Sequence, residues 1–228
     1  PIVEAQGSRR MTAEDIQGWE ADPIRPDPGA GYAARIRLDL SRVTPHVSGP
    51  DSVQVMRSVA DISGDDVAIQ KAYLVSCVNS RLEDLEAAAS VIRGKKVAEG
   101  VELYVAAASA EVQSQAEASG AWGALLEAGA RPLPPGCGPC IGLGTGLLEP
   151  GEVGISATNR NFKGRMGSRD AQAYLASPRV VAASAVAGKI TGPGESTDAR
   201  PALDYRQFEA PMPEDEEVEI LPGFPQAV

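Results

Sequence analysis

The chain has 228 residues, long enough for one large domain with extensions, and 43% of them are hydrophobic, which supports a buried core. Its net charge of −10 argues against nucleic acid or an anionic membrane as a partner, and no apolar run approaches the roughly 20 residues of a membrane span. Three cysteines and one histidine exclude a fully paired disulfide framework and most histidine-based catalytic or metal sites.

The N-terminal part is predicted to be an extension that leads into a domain. Residues 1–34 are rich in proline, glycine and mixed charge, and contain a short helix near 12–19. Apolar and polar residues then alternate over 34–43, which predicts a strand, whereas 44–53 is predicted to be a loop. We therefore expect the domain to begin near residue 35.

Strands and helices alternate in the next part of the chain. The segment AYLVSC (72–77) predicts a buried strand, and SRLEDLEAAASVIRGK (80–95) predicts an amphipathic helix. A second buried strand is predicted over 101–109, and Ser109 is placed to cap one long helix over 110–130. This order predicts an α/β fold with a parallel or mixed sheet that is covered by helices.

The C-terminal part predicts one more strand and helix before the domain ends. The strand is expected over 152–158, and the helix between a Ser177 cap and a Gly188 stop. Residues 193–228 are acidic and proline-rich, which is typical of a linker. The domain is therefore predicted to span 35–192.

Cys77 follows a predicted strand, and the other two cysteines lie in a loop after the short segment RPLP (131–134). Cys77 ends the first buried strand, and Cys137 and Cys140 stand two residues apart within the glycine-flanked segment PPGCGPCIGLGTG (134–146). Functional groups of a parallel sheet collect where its strands end. We therefore expect the three thiols to converge on one edge of the sheet.

The three thiols allow four interpretations: a redox dithiol, a zinc site, inert buried thiols or an iron–sulfur cluster. A thioredoxin-like dithiol opens a long helix, but four glycines lie within 142–151, each costing a helix roughly 1 kcal/mol. A closed zinc site needs four ligands, which here would require His46, and inert buried thiols suit only Cys77. Three thiolates around a 4Fe–4S cluster leave one iron open as a Lewis acid for a departing hydroxyl group.

Three segments in register resemble the third domain of the aconitase superfamily: SCVNSR (76–81), GCGPCIGLG (136–144) and NRNFKGRMGS (159–168). The resemblance extends over about 35–190. It implies that a 4Fe–4S cluster is held by three residues: Cys77, Cys137 and Cys140.

The resemblance also implies a site for a small tricarboxylic acid. Asn159, Arg160 and Arg165 match substrate-binding positions, and arginine suits carboxylates because its guanidinium group binds them in a bidentate way. Ser76 and Asn79 flank a cluster ligand and are assigned to the substrate as well, with local turn capping as the alternative.

Two further residues are expected to have structural roles. His46 lies in a segment that resembles a loop of the family. Ser109 matches a serine of the family, but its neighbours differ there, which favours the helix cap.

The family's reaction implies that this chain is one part of a hydro-lyase. In the family, the catalytic base is a serine of a mobile fourth domain, in a GSGSSRE-type loop that this sequence lacks. The resemblance therefore implies little activity for the chain alone, with the remaining domains of the same enzyme as its partner and the mitochondrial matrix as its location.

Within the family, the sequence around the motifs is most similar to the homoaconitase branch, with aconitase and 3-isopropylmalate isomerase as alternatives. Two other classes stay open. One is an iron–sulfur regulatory module, although the acidic charge argues against RNA; the other is a dithiol redox protein, for which Cys77 would be dispensable.

Overall fold

A computed structural model describes residues 12–32, 39 and 43–194. Residues 12–32 belong to one compact unit, and the other described residues to a second. The first unit contains helix α1 (Ala13–Ala21), which begins with a capping box between Thr12 and Asp15. This helix confirms the one predicted near Thr12. The strand predicted over 34–43 and the linker lie almost entirely outside the described residues.

The second unit is built on one mixed sheet. Its strands are β1 (His46–Ser48), β2 (Met56–Ser58), β3 (Lys71–Val75), β4 (Glu102–Ala106), β5 (Arg131–Pro132), β6 (Val153–Ser156) and β7 (Gln172–Ala176). Their spatial order is β2-β1-β7-β6-β3-β4-β5. Strand β1 pairs antiparallel with β2 and β7, and the other pairs are parallel. The predicted α/β class with a mixed sheet is confirmed.

The prediction of a loop over 44–53 is wrong for residues 46–48, because these residues form β1. Long-range pairing places Val47 opposite Ala176 of β7, and sequence alternation over three residues is too short to indicate a strand. Strands β2 and β7 are also absent from the sequence prediction.

The helices of the second unit are α2 (Val59–Ser63), α3 (Leu82–Ile92), α4 (Ala110–Ala118), α5 (Ala121–Ala128) and α6 (Pro178–Ala187). The single helix predicted over 110–130 is wrong, because it is two helices. Gly120 separates them with a φ of 76°, a left-handed conformation that ends α4 and that glycine adopts without a steric penalty. No helix in the described ranges is both long and apolar enough to cross a membrane.

The two faces of the sheet are covered differently. Helices α2 to α6 all contribute to the core on one face. The opposite face buries Tyr73 and Tyr104, whose rings stack at 5.7 Å, together with Cys140, Leu148 and Met166. The chain between β5 and β7 therefore covers that face and carries the CGPC segment.

An ion pair between a buried lysine and a partly buried glutamate fixes the chain that follows the CGPC segment. The Nζ atom of Lys71 donates to Oε2 of Glu152 at 2.6 Å and to the carbonyl of Leu147 at 2.8 Å. The hydroxyl of Tyr73 donates to the carbonyl of Gly146 at 2.7 Å. The first half of β3 thus anchors this segment to the sheet.

Two serines before helices offer a matched test of capping. The Oγ atom of Ser109 accepts from the N–H of Val112 at 3.2 Å, whereas the side chain of Ser177 makes no capping bond to α6. We expect Ser109→Ala to lower the free energy of unfolding by about 1 kcal/mol, and Ser177→Ala to lower it by less. Urea denaturation of both variants checks this, and equal losses would contradict the assignment of Ser109 as a cap.

Candidate metal centre and substrate loop

Three loops meet at the carboxyl edge of the sheet. The loop after β3 carries Cys77 and lies beside the end of β4, where the N–H of Ala108 donates to the carbonyl of Ser80 at 2.9 Å. The chain after β5 follows β4 on its other side, and the N–H of Gly136 donates to Ala107 at 3.1 Å. The loop after β6, next to β3, begins the NRNFKGR segment.

The three cysteines are free thiols in different environments. Cys77 is exposed, Cys137 is half-buried and Cys140 is buried. The pKa of the Cys137 thiol is raised, first by partial burial and then by electrostatic interaction with Cys77 and Cys140. Cys137 therefore lies near both other cysteines, and the three thiols share one edge of the sheet, as the sequence predicts.

The three free thiols offer sulfur as the ligand atom for a metal group. Among the described residues, no three histidine, cysteine or acidic side chains come close enough together to hold a single metal ion. Cysteine thiolates are the protein ligands of iron–sulfur clusters, which spread these ligands over several irons. The donor set thus fits such a cluster.

A redox dithiol fits the same geometry poorly. Catalytic dithiols have thiols with a lowered pKa at the start of a helix, whereas the pKa of Cys137 is raised. The CGPC segment itself forms a short 3₁₀ turn, Gly138–Ile141. This agrees with the glycine-rich sequence, which predicts no long helix there.

Arg165 joins the CGPC loop to the NRNFKGR loop. Its Nε atom donates to the carbonyl of Cys140 at 2.9 Å. In return, Gly142 packs on this arginine: a Cβ atom at Gly142 would lie 2.9 Å from the Arg165 carbonyl oxygen, and its φ of 74° is left-handed. A residue larger than glycine would push the two loops apart, so this contact sets their separation.

The other predicted substrate residues surround the same edge. Arg160 is exposed and its Nη1 atom donates to the carbonyl of Asn159 at 2.6 Å. The amide of Asn79 donates to the carbonyl of Thr158 at 3.5 Å. This is a long bond between the Cys77 loop and the start of the NRNFKGR loop (159–165), which we call the arginine loop. Ser76 is buried, and its hydroxyl accepts from the N–H of Val78 at 3.0 Å, which is the local turn contact that the alternative interpretation predicts.

His46 and Ser109 have local contacts. Nδ1 of His46 forms a hydrogen bond with the carbonyl of Thr44. His46 also borders an open cavity of about 400 Å³ that Asn79, Thr158 and Ser177 help to line, beside the arginine loop. Ser109 caps α4.

Sequence reasoning missed the buried polar side chains beneath the arginine loop. Ser156, Thr158 and Asn161 are all buried and hydrogen-bonded there. Only Asn161 lies in a segment that the sequence singled out, and nothing in the sequence indicates that its side chain points inward while that of Arg160 points outward.

The sequence of this chain matches a known family. Residues 4–188 match the aconitase family (aconitate hydratase), and the chain belongs to that family.

Three relatives at high identity are named mitochondrial homoaconitases. The chain is 54% identical to the homoaconitase of Debaryomyces hansenii over 230 residues, covering 96% of this chain and 33% of that protein. It is 56% identical to that of Eremothecium gossypii over 237 residues, covering 97% of this chain and 34% of the relative. For Yarrowia lipolytica the identity is 69% over 174 residues, covering 76% and 25%. The chain thus spans about a third or less of these relatives' length.

Proposed function

We propose that the chain is the cluster-bearing part of a hydro-lyase, a homoaconitase that interconverts homocitrate, homo-cis-aconitate and homoisocitrate in lysine biosynthesis. The observation that carries the proposal is the convergence of three free thiols with an arginine loop on one sheet edge. Identities of 54% and 69% to homoaconitases support this substrate. Their mitochondrial names support the mitochondrial matrix as its location.

In this proposal, Cys77, Cys137 and Cys140 hold a 4Fe–4S cluster. When bound, a cluster with three cysteine ligands supplies one open iron that acts as a Lewis acid toward the substrate's hydroxyl group. Partial burial, and then the nearby Cys77 and Cys140, raise the pKa of the Cys137 thiol, and a bound cation favours the thiolate form of such a group.

The arginine loop binds and orients the carboxylates. Arg165 uses Nε for Cys140, so its Nη atoms are the ones that face a carboxylate, and Arg160 reaches outward from the same loop. Asn159 precedes Arg160, accepts a hydrogen bond from it through the backbone carbonyl, and is the third proposed substrate contact of this loop. Asn79 and Ser76 are proposed substrate contacts from the Cys77 loop. In the structure Asn79 donates to the carbonyl of Thr158, and Ser76 accepts from Val78 within its own turn.

An apolar rim around this edge supports the remaining domains of the same enzyme as the partner. Val78, Ile141, Leu143 and Phe162 flank the proposed ligands and arginines, and they are 41%, 44%, 59% and 49% exposed. Exposed apolar side chains grouped at a site indicate an interaction surface. In this proposal the catalytic base comes from a covering domain, with 35–192 as the cluster domain and 193–228 as the linker.

The other members of the class differ in their substrate. The description of the matched family names aconitate hydratase, so citrate is the second candidate, and isopropylmalate is the third. Homoaconitase is favoured because the relatives at high identity bear that name.

A chimera tests the proposed function. The matching 174-residue segment of the Yarrowia lipolytica homoaconitase is replaced by this chain's segment, and hydration of homo-cis-aconitate is assayed. We expect an active chimera that prefers homo-cis-aconitate to cis-aconitate. Arg165→Lys in the chimera should lower kcat/KM by about tenfold or more, because lysine cannot bind Cys140 and a carboxylate in the planar way of arginine.

The control chimera carries the corresponding segment of the Debaryomyces hansenii enzyme. An inactive chimera beside an active control would contradict the proposal. A chimera that prefers cis-aconitate would transfer the assignment to aconitase.

A further inference from the structure

Buried polar side chains lie beneath the turn that carries Arg160. Ser156, Thr158 and Asn161 are 1%, 4% and 0% exposed. The hydroxyls of Ser156 and Thr158 lie 2.9 Å apart, and Thr158 donates to the carbonyl of Arg160 at 3.2 Å. Polar groups are buried in proteins where partners satisfy them, so the partners of these side chains indicate what they hold in place.

The amide of Asn161 connects this turn to two other segments. Its Nδ2 atom lies 3.0 Å from the carbonyl oxygen of Ala173 in β7. The same atom lies 3.3 Å and 3.4 Å from the carbonyl oxygens of Ser48 and Ser52, in the hairpin between β1 and β2. One side chain of the arginine loop thus donates to backbone oxygens 12 to 113 residues away.

Few other side chains could donate hydrogen bonds to these three carbonyl oxygens. An NH₂ group offers two N–H donors to the three carbonyl oxygens. An aspartate of the same shape would place acceptors against acceptors, and an apolar side chain would leave the oxygens without this donor. The Oδ1 atom of Asn161 has no hydrogen-bond partner among the described residues, so its contribution lies in the Nδ2 contacts.

We propose that Asn161 is a positioning residue for substrate binding. Its buried amide fixes the backbone of the turn at 158–161, and the turn in turn directs Arg160 outward toward a substrate carboxylate. The inference rests on the proposed function for what Arg160 binds, and it adds a residue that acts on the substrate only through Arg160.

The test is backbone amide NMR relaxation of the 228-residue chain with Asn161→Asp. We expect the order parameter of Arg160 to fall from about 0.85 to below about 0.6. Leu74 is the internal control: it pairs with Val105 inside the sheet, in a segment that Asn161 does not bond, so its order should persist. A residue that only stabilises the fold would lower the unfolding midpoint and leave the order of the native Arg160 unchanged.

Thr158→Val provides a second variant that does not depend on the first. It removes the hydroxyl that donates to the Arg160 carbonyl while nearly preserving the shape of the side chain. We expect the same selective loss of order at Arg160, and this variant carries the test if Asn161→Asp does not fold. An Arg160 amide that is as ordered in the folded variants as in the unmodified chain would overturn the inference. Neither result depends on a cluster or on turnover, so a failure of the proposed function would be seen separately.

Discussion

Replacing Cys77 by serine is expected to abolish assembly of the 4Fe–4S cluster on this chain. After anaerobic incubation with iron and sulfide, iron should fall from about four atoms per chain to near zero, with loss of the thiolate-to-iron charge-transfer absorption. The reason is geometric: Cys77 comes from the loop after β3, and the other two thiols come from the CGPC turn. Without Cys77, only one side of the cluster has a thiolate ligand.

This substitution also separates the cluster from the dithiol alternative. A dithiol of Cys137 and Cys140 needs no third thiol, so its reductase activity would survive in Cys77→Ser. Val78→Ser is the matched control, because it changes an exposed neighbour and leaves all three thiols in place. A full cluster in Cys77→Ser would contradict the three-thiolate site.

Replacing Glu152 by glutamine is expected to lower the free energy of unfolding by about 3 kcal/mol or more. The side chain of Lys71 is only 7% exposed, and Glu152 is its carboxylate partner at 2.6 Å. The amide preserves the shape of the side chain but removes the charge that compensates a buried ammonium group. Guanidinium denaturation of both proteins at neutral pH measures the loss.

The matched control is Asp66→Asn, which removes the same charge from an exposed pair. Lys189 and Asp66 are 46% and 74% exposed, so this substitution should cost about 1 kcal/mol or less. Equal losses in the two variants would contradict the assignment of Lys71 and Glu152 as a buried anchor of the segment after the CGPC turn.

Local pattern predicted most of the central sheet and failed where pairing is long-range. Strands β3 and β4 are continuous apolar runs followed by amphipathic helices, so both were predictable from the sequence. Strand β1 is three residues long and depends on the pairing of Val47 with Ala176, which no local pattern contains. The break at Gly120 was missed because apolar residues continue on both sides of it.

The sequence likewise predicted one part of the site and missed another. The position of Cys77 at a strand end and of the CGPC segment in another loop of the α/β pattern predicted that the thiols meet, since loops after parallel strands share an edge. The sequence could not predict that Arg165 would bind the Cys140 carbonyl, 25 residues away, or that Asn161 would point inward. Such contacts depend on how loops fold over the sheet, and residue spacing carries no record of that.

Mössbauer spectroscopy of the chain, reconstituted anaerobically with isotopically enriched iron, tests the central claim most directly. We expect one cluster per chain in which one iron differs from the other three, because only three thiolates are available. Addition of homocitrate should shift the signal of that iron alone. Four equivalent irons, or iron bound singly, would contradict an open-iron hydro-lyase site.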